Sequence, residues 1–177
     1  MSETAMRSGV GESVDQSVGQ PVDSQSVSVV GRSVAYREYG DPAGQPVVVL
    51  HGTPGSSRLG GLVAPAAAAA GVRLLAVDRP GYGDSDPWPA RSISDIGGIV
   101  ATVLDDASVD AAGLIGFSGG GPHALAVAAT QPDRVTSVDV ISGSTPPDLG
   151  TSPTMQRLLG GMAASTPRLL SGLFSTQ

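Results

Sequence analysis

The chain has 177 residues, of which 40% are hydrophobic, 15% charged and 3% aromatic, with no cysteine and a formal net charge of −6. This composition suits a soluble globular protein: it offers no run of ~18 apolar residues to span a membrane, no apolar signal segment in the first twenty positions, and no disulfide or thiol chemistry. All ten basic residues are arginine, and the acidic balance argues against nucleic acid or an anionic membrane as partner, so a cytoplasmic location is expected.

Residues 1–25 are rich in Ser, Gln, Val, Asp and Gly without periodicity and read as a disordered leader. Ser26 to Val30 and Ser33 to Tyr39, with Gly31-Arg32 between, suit a β-hairpin. Thereafter strand and helix patterns alternate: a strand at 46–50, a helix at about 58–70, a strand at 73–77, a helix at about 92–106, a strand at 111–117, a helix at 120–130 and a strand at 135–142. Such alternation predicts an α/β domain over 26–145, with a mostly parallel sheet, helices on both faces, and ligands at the carboxyl ends of the strands.

Three glycine-rich turns fall at that edge. Val47-Val48-Val49-Leu50 runs into His51-Gly52-Thr53-Pro54-Gly55, and Leu74-Leu75-Ala76-Val77 into Asp78-Arg79-Pro80-Gly81-Tyr82-Gly83-Asp84-Ser85-Asp86. The third, Leu114-Ile115-Gly116-Phe117-Ser118-Gly119-Gly120, is a Gly-x-Ser-x-Gly strand-to-helix turn, which lifts the Ser118 hydroxyl clear of the sheet. Gly116 and Gly120 are required there because side chains would strike the neighbouring strand and helix.

On these three motifs and their order the chain resembles the α/β-hydrolases, a family of esterases, epoxide hydrolases, dehalogenases, haloperoxidases and prolyl aminopeptidases. The resemblance covers about residues 27–145, and 146–177 look like the start of a helical cap. It implies Ser118 as nucleophile and the N–H groups of Thr53 and Gly119 as oxyanion donors; Pro54 has no N–H to offer. It also implies a supporting role for His51 and Gly52, which hold the oxyanion loop, a small-molecule acyl substrate, and no cofactor.

Other assignments compete with these. His51 and His123 are the only imidazoles. His123 lies five residues after Ser118, ~7.5 Å along the helix and ~140° around it, so its ring is expected to point away from the hydroxyl. Asp78, Asp84 and Asp86 lack a calcium-loop spacing and read as turn-shaping carboxylates rather than a metal site. After Ser118 the acids are Asp133, Asp139 and Asp148; the family order of serine, acid, histidine is cut short, because no histidine follows His123.

The sequence therefore reads as a fold truncated at its C-terminus, with on the order of 100 residues missing. Val135, Val138, Val140 and Ile141 are expected to form an exposed sheet edge, open to self-association or to a complementing fragment. The stretch Met155 to Phe174 reads as two short amphipathic helices. Two functions remain: a serine hydrolase of carboxylic esters or related acyl substrates, inactive or weak alone, and a non-catalytic small-molecule binding or interaction module.

Overall fold

The structure, a computed structural model, describes residues 23–143. Residues 1–22 of the expected leader, the cap segment 146–177 and Asp148 lie outside the described residues, while Gln25, expected at the end of the leader, opens the first strand. Strand β1 (Gln25–Val29) pairs antiparallel with β2 (Arg32–Gly40). There follow β3 (Gln45–Leu50), helix α1 (Leu59–Ala69), β4 (Val72–Val77), helix α2 (Asp95–Asp106), β5 (Ala112–Phe117), a 3-10 turn at Ser118–Gly120, helix α3 (Gly121–Thr130) and β6 (Val135–Ile141). One sheet contains all six strands in the order β1-β2-β4-β3-β5-β6, with β4, β3, β5 and β6 parallel and the β1-β2 hairpin antiparallel to β4.

The central strands are continuous β-branched and aliphatic runs because both of their faces are covered. On one face Val48, Leu50, Leu75, Val77 and Leu114 pack against Ile96, Ile99, Val100, Val103 and Leu104 of α2 and Ala124 and Val127 of α3. On the other, Val49, Leu74 and Ala76 pack against Ala67 of α1. Cover on this second face thins towards β5 and β6, where Phe117 and Ile141 stand in register and remain 39% and 50% exposed. Among the described residues β6 is a sheet edge. Val135 and Val138 are half-buried against the main core, so the exposed apolar edge expected from sequence narrows to Val140 and Ile141. No described helix is long and apolar enough to cross a membrane.

Two boundaries differ from expectation for local reasons. Helix α2 begins at Asp95 rather than near 92: Ser92-Ile93-Ser94 forms a turn that leads into it, across which the Ser92 N–H donates to the Asp95 carboxylate at 2.6 Å. The hairpin turns at Val30-Gly31, not Gly31-Arg32. Val29 pairs with Arg32, leaving a two-residue loop with φ of 49° at Val30 and 72° at Gly31, as a type I′ turn requires.

A β-branched residue in the left-handed region is strained, and Val30 is 74% exposed, so nothing in the core holds it there. Val30→Asn installs the preferred Asn-Gly pair and is expected to stabilise the domain by roughly 1 kcal/mol, raising Tm by about 2–4 °C. Thermal unfolding followed by circular dichroism measures this; an unchanged or lower Tm contradicts it.

Candidate active site

Strands β3 and β5 are neighbours, with Leu50 opposite Gly116, so the loops leaving their carboxyl ends meet. The turn at Ser118 is tight. Its φ of 51° lies in the left-handed region, which costs a serine on the order of 1–3 kcal/mol and persists only where surroundings enforce it. Enforcement comes from backbone approach without side chains. A Cβ on Gly120 would lie 2.0 Å from the Leu50 carbonyl oxygen, and one on Gly116 would lie 2.7 Å from Gly121 Cα and 2.9 Å from Ala124 Cβ. All three distances are beyond accommodation by ordinary side-chain movement, since the obstacles are backbone or short side chains.

The oxyanion-loop residues lie against this turn. A Cβ on Gly52 would be 3.1 Å from Ser118 Cβ, and a Cβ on Gly119 would be 3.0 Å from Thr53 Oγ1 and 3.6 Å from Thr53 N. The structure thus brings Ser118, Gly119, Gly52 and Thr53 together, with Gly116 and Gly120 beneath them.

His51 is 1% exposed and has both ring nitrogens committed. Its Nδ1–H donates to the Gly52 carbonyl at 2.7 Å, and its Nε2 accepts the Arg79 N–H at 3.2 Å. This fixes the neutral tautomer. Burial, aided by the Arg79 charge, pulls its pKa down to about 4 against the opposing Gly52 hydrogen bond. An imidazole held this way supports the loop and has no lone pair to offer a serine.

His123 is half-buried on α3, and its Nδ1–H donates to the Gly119 carbonyl at 3.0 Å. The ring therefore swings back over the preceding turn, as side chains on helices do. Desolvation first, then the charges of Arg79 and Arg91, lower its pKa.

Arg79 was not singled out in the sequence. It is 3% exposed, and its Nη2 donates to the Gly52 carbonyl at 2.9 Å and to Thr53 Oγ1 at 2.8 Å. Its guanidinium carbon lies 4.7 Å from the centre of the Tyr82 ring, and Tyr82 in turn packs edge-on against His51 at 5.1 Å. The signal available was position: Arg79 follows the last residue of β4 by two, at the same sheet edge as the other two turns.

Behind it, Asp78 is fully buried and accepts the N–H groups of Ser57 and Asp84, while Arg37 bridges Asp78 at 3.5 Å and Asp84 at 2.6 Å. Asp86 accepts the Ser33 N–H at 2.8 Å. The three carboxylates thus serve protein donors and shape the turn, and no group of described residues could hold a metal ion. Asp133 and Asp139 are exposed, on the turn before β6 and on β6 itself.

The family described as alpha/beta hydrolase fold matches residues 45–176. The chain belongs to this family. It is 33% identical over 147 residues to the dihydrolipoyllysine-residue acetyltransferase component of the acetoin cleaving system of Pseudomonas putida, covering 82% of this chain and 39% of that protein. It is 34% identical over 139 residues to the 2-hydroxy-6-oxononadienedioate/2-hydroxy-6-oxononatrienedioate hydrolase of Cupriavidus pinatubonensis, covering 73% and 48%. Epoxide hydrolase A from Mycobacterium thermoresistibile superposes with a TM-score of 0.58 at 29% identity, over 68% of this chain and 39% of that one. This α/β-hydrolase chain spans less than half the length of each of these three relatives.

Two outcomes follow from the site geometry. Gly120→Ala forces its methyl into the Leu50 carbonyl and is expected to destabilise the domain by about 3 kcal/mol, read as a lower midpoint in urea. The depressed His51 pKa makes the folded state bind fewer protons than the unfolded chain. Stability contributed by neutral His51 is therefore full above about pH 6.5 and lost as pH falls towards 4, by on the order of 3 kcal/mol. Urea unfolding at a series of pH values should show this slope and its reduction in His51→Gln; equal slopes in the two proteins contradict the assignment.

Proposed function

We propose that this α/β-hydrolase chain carries the nucleophile and oxyanion pocket of a serine hydrolase acting on carboxylic esters or related acyl substrates. The observation that carries the reading is the positive-φ serine at the head of α3, set against the Thr53 loop. The hydrolase relatives support a hydrolytic reaction, and a serine hydroxyl at the elbow directs it to an acyl carbonyl. In the proposed reaction Ser118 Oγ bonds to the carbonyl carbon and the carbonyl π pair moves onto oxygen. The N–H groups of Thr53 and Gly119 receive that oxyanion. Collapse expels the alcohol and leaves an acyl-serine, which water hydrolyses.

The serine's proton needs an acceptor, and the two histidines are poorly suited to take it. His51 has spent both nitrogens and His123 has spent Nδ1. Activity of this chain alone is therefore proposed to be weak, with solvent as the acceptor. The pocket and nucleophile without a base can still supply on the order of 10³-fold acceleration over water. The same commitment of both histidines favours the second reading, a binding module that retains the pocket without turnover.

Labelling with a fluorophosphonate, followed by intact mass and peptide mapping, separates them. Slow, single-site addition to Ser118 that disappears in Ser118→Ala is the expected result. An unlabelled protein after prolonged exposure to excess reagent, or an adduct that survives in Ser118→Ala, defeats the hydrolase reading.

A further inference from the structure

Thr53 enters the reading above only through its backbone N–H, yet its side chain occupies the more unusual position. Its Oγ1 lies 2.8 Å from Arg79 Nη2, and it fills the space beside Gly119, 3.0 Å from where a Cβ on that residue would stand. A guanidinium nitrogen can only donate, so Thr53 Oγ1 accepts there and its own hydrogen must point elsewhere. Among the described residues its one other hydrogen-bond contact is the Tyr82 hydroxyl at 3.4 Å, long and weak. The hydroxyl hydrogen is thus left available to a group arriving at the elbow.

Charge makes this hydroxyl different from an ordinary threonine's. Arg79 is buried, stays ionised at neutral pH, and reaches solvent poorly, so its field falls on the atoms it touches. An O–H whose oxygen accepts from a cation is polarised and becomes a stronger donor. Gly119 is part of the same arrangement, since a Cβ there would press on the Thr53 hydroxyl at 3.0 Å.

We propose that the Thr53 hydroxyl, polarised by Arg79, is a third oxyanion donor beside the N–H groups of Thr53 and Gly119. Thr53 is then a catalytic residue by its side chain, and Arg79 a positioning residue that acts through it. The inference rests on the reading of Ser118 as nucleophile, and its test is independent of any base.

Phenylboronic acid provides that test. Ser118 Oγ adds to boron, the hydroxyl proton passes to buffer, and the resulting tetrahedral boronate anion places one of its hydroxyl oxygens where the oxyanion would lie. Boron-11 NMR reports the tetrahedral adduct and titration gives Kd for the full chain, with melting temperatures confirming that each variant is folded. Thr53→Ser, which keeps the hydroxyl, is expected to bind within about threefold of the parent, and Thr53→Val, which keeps the shape, to bind roughly tenfold more weakly. Ser118→Ala is expected to lose the tetrahedral signal. Equal Kd in Thr53→Val and the parent, with the signal lost in Ser118→Ala, overturns the third donor alone. A parent protein that forms no Ser118-dependent adduct overturns the nucleophile reading, and the third donor with it.

Discussion

The site depends on one constraint: the elbow must press its backbone directly onto the end of β3. The Leu50 carbonyl lies where a Cβ of Gly120 would be, and the start of α3 lies where a Cβ of Gly116 would be. Removing two side chains lets the helix begin within the thickness of the sheet rather than above it. The helix start then forces the left-handed serine, and the serine's place fixes which residues of the β3 loop can face it. A residue with a side chain at 120 would lift α3 and separate Gly119 from Thr53, so the pocket and the packing of α3 on the sheet are one feature seen from two sides.

The second requirement is polar. The loop after β3 is held by buried charged groups, Arg37 on β2 and Asp78 and Arg79 on the loop after β4. Taking Arg37, Asp78 and Arg79 out of water is costly, and such groups rarely add net stability even when paired. Their arrangement is explained by what they position. Asp78 ties Ser57 to the β4 turn, while Arg79 takes the Gly52 carbonyl and the Thr53 hydroxyl together. Arg79 Nε is buried with no hydrogen-bond partner among the described residues, a cost that a purely structural side chain would have little reason to carry.

Much of this was legible before any coordinates. The strands were visible because parallel, doubly covered strands are short aliphatic runs, and the turns were visible because glycine clusters interrupt them. Gly116, Gly120 and the pairing of Thr53 with Gly119 followed from the motifs and their resemblance. What failed to show was anything decided by two segments distant in sequence. The Val30-Gly31 turn was missed because a valine is a poor candidate for positive φ, and only the pairing of Val29 with Arg32 imposes it. Arg79 was missed because a turn arginine reads as solvated until β3 and β4 are placed side by side. The reach of His123 back to Gly119 was missed because helical geometry was applied to its Cα, not to the tilt of its side chain.

Electrostatics joins these parts. The chain is acidic overall, yet among the charges acting on the two histidines near the elbow Arg79 leads at each, with Arg91 adding to it at His123. A field that disfavours a proton on either imidazole is the same field that favours a negative oxygen beside Thr53. A pocket of this kind is poorly disposed to make its own histidines into acids and well disposed to receive an oxyanion. The two properties cannot be tuned apart while Arg79 remains within reach of both. The charge that supports the proposed oxyanion therefore also adds to the burial that keeps His51 neutral, and neutral His51 is what lets its two nitrogens bind Gly52 and Arg79 and hold the loop in place.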